Sequence, residues 1–288
     1  MDTQAVRVED LRKTYGDRTV VDGVSFDIAR GETLALLGPN GAGKSTTVEI
    51  LEGFRRRSGG RVEVLGADPE TAALDHRARL GIVLQSTGRT GPLTVRELLR
   101  QFSGFFSHPR DVDELIAAVG LVDQARLRVS KLSGGQRRRV DVALGIVGRP
   151  ELLFLDEPTT GFDPHARREF WALIRRLQAD GTTILLTTHD LDEAAQLADR
   201  VAVMVAGRVR AIGPVSDLGG EEARLPIVRW SEAGRPREER TARPFVLAES
   251  IARRLGCPPE DVEIVRPRLE DVYLRLVGEP AFVEGTAR

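Results

Sequence analysis

A short apolar strand that runs straight into a glycine-rich turn, and from there into a helix, constrains this chain more than any other feature. Thr33-Leu34-Ala35-Leu36-Leu37 reads as a buried strand. It leads into Gly38-Pro39-Asn40-Gly41-Ala42-Gly43-Lys44-Ser45-Thr46, and residues 46–51 continue as a helix. In that order the glycines let backbone N–H groups turn inward on phosphate oxygens, and the helix adds its positive N-terminal end. Gly38, Gly43, Lys44 and Ser45 match the P-loop pattern in full. Lys44 supplies a point charge for β- and γ-phosphates, and the Ser45 hydroxyl is a ligand for Mg²⁺.

A second glycine-rich loop, Leu132-Ser133-Gly134-Gly135-Gln136, opens a helix expected over 136–147. Standing alone it could be only an N-cap with a flexible approach. Beside a P-loop it reads as a second anion site at a helix N-terminus. Arg137-Arg138-Arg139, which follow, are expected on a solvated helix face. One nucleotide needs one cradle, so the second loop serves either the same nucleotide or another chain's.

The third element of chemistry is Leu152–Leu155 followed by Asp156 and Glu157, an apolar strand ending in two carboxylates. Ligands gather at the carboxyl ends of strands in open α/β sheets. Asp156 is placed to hold the Mg²⁺ shell, and Glu157 to accept a proton from attacking water.

The pattern along the chain is α/β. Short apolar bursts fill 4–37, strands are expected at 81–85, 152–155, 183–187 and 201–205, and helices at 165–179 and 190–198, with a hairpin turn at Ala206-Gly207-Arg208. This alternation predicts a largely parallel sheet covered on both faces. Residues 94–148 are mostly helical in pattern: Val95, Leu98, Leu99 and Phe102 share one face, and Leu115, Ile116 and Val119 another. A helical insert is therefore expected at about 88–150 within a domain spanning 1–218. Beyond it, 219–288 reads as a small accessory α/β module: a strand at 226–230, an exposed loop at 231–243, a helix at 245–255, a strand at 261–265 and a helix at 268–276.

Bulk composition narrows the partners. A formal net charge of −1 gives no electrostatic case for nucleic acid or an anionic membrane surface. No apolar run approaches the roughly 18–20 residues of a spanning helix, and the N-terminus lacks a signal-peptide pattern. The single cysteine, Cys257, rules out an internal disulfide and reads as a small apolar residue. His76, His108 and His165 are expected at the surface.

Taken together, these motifs in this order resemble the nucleotide-binding subunit of an ATP-binding-cassette (ABC) transporter, over about residues 4–216. The resemblance implies an α/β fold with a P-loop (RecA-like) ABC ATPase core, a helical insert, and the C-terminal module beside it. It places Tyr15 against adenine. It makes Gln85 the Q-loop glutamine that senses Mg²⁺, Asp163 the D-loop aspartate, and His189 the switch histidine at the γ-phosphate. Phe162 stands where the family usually has leucine. The resemblance also implies ATP and Mg²⁺ as cofactors. It implies a homodimer in which the P-loop of one chain and Ser133, Gly134, Gly135 and Gln136 of another close over one ATP. That dimer is expected on a separately encoded transmembrane permease, with the chain cytoplasmic, peripheral to the membrane and not inserted in it. Residues 266–278 resemble the C-terminal motif of drug-export ATPases of the daunorubicin-resistance type. In apolar pattern they also form an amphipathic closing helix through Leu269, Val272, Tyr273 and Leu276.

Three other readings remain at this point: a soluble ABC ATPase acting on ribosomes or DNA, an ABC importer subunit, and a P-loop kinase or switch protein. The first usually resembles tandem cassettes or carries long coiled-coil inserts, and neither is evident. The last has no need of Leu132–Gln136.

Overall fold

The computed structural model describes residues 3–84, 92–220, 225–232, 234–256, 262–266 and 269–278. The chain divides into two compact units, Met1–Arg210 and Ala211–Arg288.

The first unit is built on a six-stranded sheet of order β5-β6-β7-β3-β8-β9. Its strands are β3 (Thr33–Leu37), β5 (Leu80–Val83), β6 (Leu152–Asp156), β7 (Thr183–Thr188), β8 (Arg200–Val205) and β9 (Arg208–Pro214), the last running on past Arg210. Pairing is parallel from β5 through β8. β9 follows β8 after only Ala206-Gly207, too short for a parallel crossover, so it closes the edge as a hairpin. All five side chains of β3 are buried. Each of its leucines gains about 1.5–3 kcal/mol from leaving water, which is why this strand sits inside the sheet.

A second, antiparallel sheet of order β2-β1-β4 comes from β1 (Gln4–Tyr15), β2 (Arg18–Ala29) and β4 (Gly59–Val64). It resolves the apolar bursts of 4–29 into long paired strands, while β4 has no counterpart in the sequence reading. Val8, Leu11, Phe26 and Ile28 of this sheet share one core with Leu34, Leu36, Phe154, Met204 and with Val48, Ile50 and Leu51 of α1 (Lys44–Leu51).

Between β5 and β6 the expected insert is helical: α3 (Val95–Ser103), α4 (Val112–Ala118), a 3-10 turn at Val129–Lys131 and α5 (Gly134–Ile146). The short α2 (Leu74–Arg77) precedes β5. Val95, Leu98, Leu99, Leu115, Ile116 and Val119 are buried as expected, while Phe102 is partly exposed and stacks edge-on with Phe105. Helix α5 lies close on β5. A Cβ on Gly81 would meet the Gly145 carbonyl oxygen at 2.3 Å, and one on Gly145 would meet Val83 Cγ2 at 2.7 Å. Helices α6 (Pro164–Ala179) and α7 (Leu191–Leu197) complete the layers.

Two expectations fail in this unit. His76 is buried rather than at the surface, and burial lowers its pKa. Arg138 is buried as well, with consequences described below.

The second unit holds a sheet of order β11-β10-β12, formed by β10 (Ile227–Glu232), β11 (Arg235–Arg240) and β12 (Glu263–Val265). It is joined by α8 (Pro244–Leu255) and α9 (Leu269–Gly278). Val228, Ala248, Ile251, Ala252 and Val262 form its core. The loop expected at 231–243 contains strand β11 instead. Its polar side chains are exposed, and cross-strand pairs such as Arg229–Glu238 at 3.2 Å accompany the ladder. In α9, Val272 is buried and Leu269, Tyr273 and Leu276 are half-buried. Cys257 lies outside the described residues.

Candidate active site

The P-loop is held by two close approaches. Gly43 caps α1 at φ 99°, in the left-handed region, and a Cβ there would meet the Val20 carbonyl at 2.8 Å. A Cβ on Gly38 would meet the Met204 carbonyl at 2.3 Å. Only glycine fits either place. Between them Ala42 is buried, and its carbonyl accepts from Gly207 N at 3.0 Å. Pro39 is half-buried, Asn40 and Gly41 are exposed at the tip, Ser45 is exposed and Thr46 half-buried.

Lys44 is buried. Its Nζ donates to the Gly38 carbonyl at 2.6 Å and the Pro39 carbonyl at 3.2 Å. An ammonium has three donors, so one remains for a phosphate oxygen. Burial lowers its pKa, and the charges of Glu157 and Asp156 oppose that shift.

Those carboxylates stand at the end of β6, where Asp156 pairs in register with Thr187 of β7. The buried Thr187 hydroxyl donates to Asp156 Oδ1 and accepts from the Glu157 N–H at 3.1 Å. The same N–H also reaches the Thr187 carbonyl at 3.1 Å. Glu157 has φ 42°, a conformation that costs a non-glycine residue about 1–3 kcal/mol. Its carboxylate accepts from the Thr160 hydroxyl at 3.4 Å and lies 3.4 Å from His189 Nδ1. His189 follows β7 directly. The turn after it is fixed by Asp190, whose N–H donates to Thr188 Oγ1 at 3.0 Å and whose carboxylate caps α7 and pairs with Arg167 at 2.6 Å.

Arg138 is the clearest departure from the sequence reading. Its guanidinium is buried, with Nε donating to the Pro158 carbonyl at 3.0 Å, Nη2 to the Asp156 carbonyl at 2.8 Å, and Nη1 to the Leu84 carbonyl. Arg138, Val142, Gly145 and Ile146 fall at i, i+4, i+7 and i+8. That spacing puts Arg138 on the face of α5 that packs inward, a signal hidden by its place in a run of three arginines.

Sequence reading also missed Thr187 and Glu52. Thr187 is a polar residue closing an apolar strand, which is a readable sign. Glu52, at the end of α1, is buried, and its carboxyl is pushed up to about 8, first by burial and then by the charges of Asp156 and Glu49.

The second glycine loop lies apart from the P-loop. Ser133 caps α5 in a capping box: Gln136 N donates to Ser133 Oγ at 3.2 Å, and Ser133 N donates to Gln136 Oε1 at 3.0 Å. The Ser133 hydroxyl proton is left to donate elsewhere. Ser133, Gly134, Gly135 and Gln136 line a hollow of about 520 Å³ together with Asp163 and His165, and no P-loop residue lines it. Asp163 caps α6 by accepting from His165 N at 2.9 Å and Ala166 N at 3.0 Å, which holds its pKa down. Phe162, the family departure, stacks edge-on against the buried Phe170 at 5.7 Å.

Tyr15 ends β1 with its ring partly exposed, under Lys13 Nζ at 4.8 Å and Arg55 Cζ at 5.4 Å. Gln85 lies outside the described residues.

A glycine cradle at the carboxyl end of a central parallel strand, with two carboxylates at the end of β6, defines a P-loop nucleoside triphosphatase. Comparison with known proteins narrows the class. The family model described as ABC transporter matches residues 21–160. The daunorubicin resistance ATP-binding protein of Streptomyces coeruleorubidus is 38% identical, over 98% of this chain and 99% of its own. A Nod factor export ATP-binding protein of Rhizobium johnstonii is 40% identical, over 95% of each. A solved structure from Clostridium perfringens, described as part of an ABC transporter complex, is 31% identical with a TM-score of 0.68, over 74% of this chain and 89% of its own. The chain belongs to the ABC transporter family as an ATP-binding subunit, and it hydrolyses ATP. Among the described residues no helix is long and apolar enough to cross a membrane.

Proposed function

We propose that this chain is the ATPase of an exporter. Two copies sandwich ATP at the cytoplasmic face of a separately encoded permease and drive a drug, natural product or lipid-like compound outward. The observation that carries the reading is the convergence of three neighbouring parallel strands. β6, β7 and β3 bring Glu157, His189 and Lys44 to their carboxyl ends, with Asp156 beside them.

In this reading the P-loop amides and the third donor of Lys44 hold the β- and γ-phosphates. Ser45 and Asp156 offer hard oxygen ligands, the donor type Mg²⁺ selects, and that cation is usually held by one or two carboxylates plus substrate phosphates. When bound, Mg²⁺ neutralises charge on the β- and γ-oxygens. Glu157 takes the proton of the attacking water, and His189 orients that carboxylate and faces the γ-phosphate. Gln85 is assigned to sensing the metal and passing the change to the permease, and Tyr15 to the adenine.

Ser133, Gly134, Gly135 and Gln136, with Asp163 beside them, serve the partner copy's nucleotide. Their hollow, separate from the chain's own P-loop, supports that assignment. Export of cargo rests on relatives named for daunorubicin resistance and Nod factor export. Purification from detergent-solubilised membranes tests the reading: a six-helix membrane protein is expected to accompany the chain, and recovery of ribosomes or DNA in its place overturns it.

A further inference from the structure

We propose that Arg138 is a positioning residue for Glu157 and the link between the two half-sites that one chain contributes. The inference rests on Glu157 acting as proposed above. Arg138 donates to the carbonyls of Asp156 and Pro158, the residues on either side of Glu157. Glu157 itself sits at φ 42°. A buried guanidinium that grips these two carbonyls pins the peptide groups 156–157 and 158–159, and so restrains the short backbone segment between them, which holds Glu157 in its left-handed turn. Its third contact is the carbonyl of Leu84, just before Gln85 in sequence.

Arg138 lies in the second turn of α5, the helix that Ser133 caps. Any shift of Ser133–Gln136 against a neighbour's nucleotide therefore moves the group that holds this chain's own Glu157. A planar guanidinium presents fixed, divergent donors; an ammonium at position 138 keeps the charge but cannot reach three separate carbonyls.

The test measures ATP turnover by the full complex, with ATP affinity measured alongside. Arg138→Met removes the donors. Arg138→Lys keeps the charge and is the working variant if the methionine form fails to fold. Either should lower kcat at least about tenfold while KM for ATP changes less than about twofold, the signature of a group acting after binding. In a Glu157→Gln background, Arg138→Lys should cause no further fall in single-turnover hydrolysis, because its effect runs through Glu157. An equal fall in both backgrounds overturns the inference, as does turnover near wild type in Arg138→Met. Normal hydrolysis by Glu157→Gln alone instead overturns the assignment of Glu157 on which the inference rests.

Discussion

His189 Nδ1 lies 3.4 Å from Glu157 Oε1. The two residues close adjacent parallel strands, β7 and β6, so the pair is set by strand register rather than by a flexible loop. Glu157 contributes a carboxylate that is mostly shielded, 15% exposed, while the His189 side chain is 56% exposed and faces outward. A shielded base steadied by a solvent-facing imidazole suits proton abstraction from a water entering at that face.

Glu157→Gln is expected to retain ATP binding and lose about 10²–10⁴-fold in turnover, the usual worth of a general base. Steady-state hydrolysis and nucleotide titration of the same preparation check this. Turnover near wild type removes Glu157 from the role.

His189→Ala should lower turnover as well, and its effect should overlap that of Glu157→Gln. Groups that work as a unit are strongly non-additive. The double variant should therefore hydrolyse ATP about as slowly as the worse single variant. A product of the two single losses would mean the residues act independently.

Ser133→Ala removes one capping-box bond from α5 and should cost about 1 kcal/mol of stability. The isolated chain should still bind ATP normally, while ATP-driven dimer formation weakens. Calorimetric ATP binding and light scattering separate the two effects. Loss of monomer binding as severe as in a Lys44 variant counts against the assignment.

Glu52 gives a pH dependence whose sign is fixed. Its carboxyl is raised from the ordinary 4.5 to about 8 by burial, helped by Asp156 and Glu49. The folded chain thus keeps this proton longer than the unfolded chain. Stability falls as pH rises through the window from about 4.5 to 8, and the loss is complete above it. In buffer free of metal and nucleotide, Glu52→Gln should abolish that contribution, with a stabilisation on the order of a few kcal/mol at pH 8.5 and little at pH 4.5. Denaturant unfolding at both values checks it, and an equal effect at both refutes it.

What the sequence disclosed follows from how local each feature is. The P-loop, the carboxylates after β6 and the cap at Ser133 are short-range devices whose geometry is written in a few consecutive residues. The parallel strands were legible because burial on both faces demands apolar runs, as in Leu34–Leu37 within β3 and Ile184–Leu186 within β7. Strand β11 was hidden because an edge strand facing water on both sides carries no apolar pattern. Arg138 looked like a surface cation because only packing reveals the three carbonyls that replace water around it. Thr187 and Glu52 take their meaning from Asp156, more than thirty and a hundred positions away in sequence.

The split site itself is tested most directly by mixing two broken chains. One carries Lys44→Ala with an intact Ser133 loop, and the other carries Ser133→Arg with an intact P-loop. They are co-expressed with different tags and purified through both. If each ATP lies between two chains, every homodimer has two damaged sites, while the mixed assembly has one whole site and should recover about half of wild-type hydrolysis, one of the two sites of a two-fold dimer. If both loops of one chain serve the same nucleotide, neither chain has a whole site, and the mixture should hydrolyse no faster than either parent.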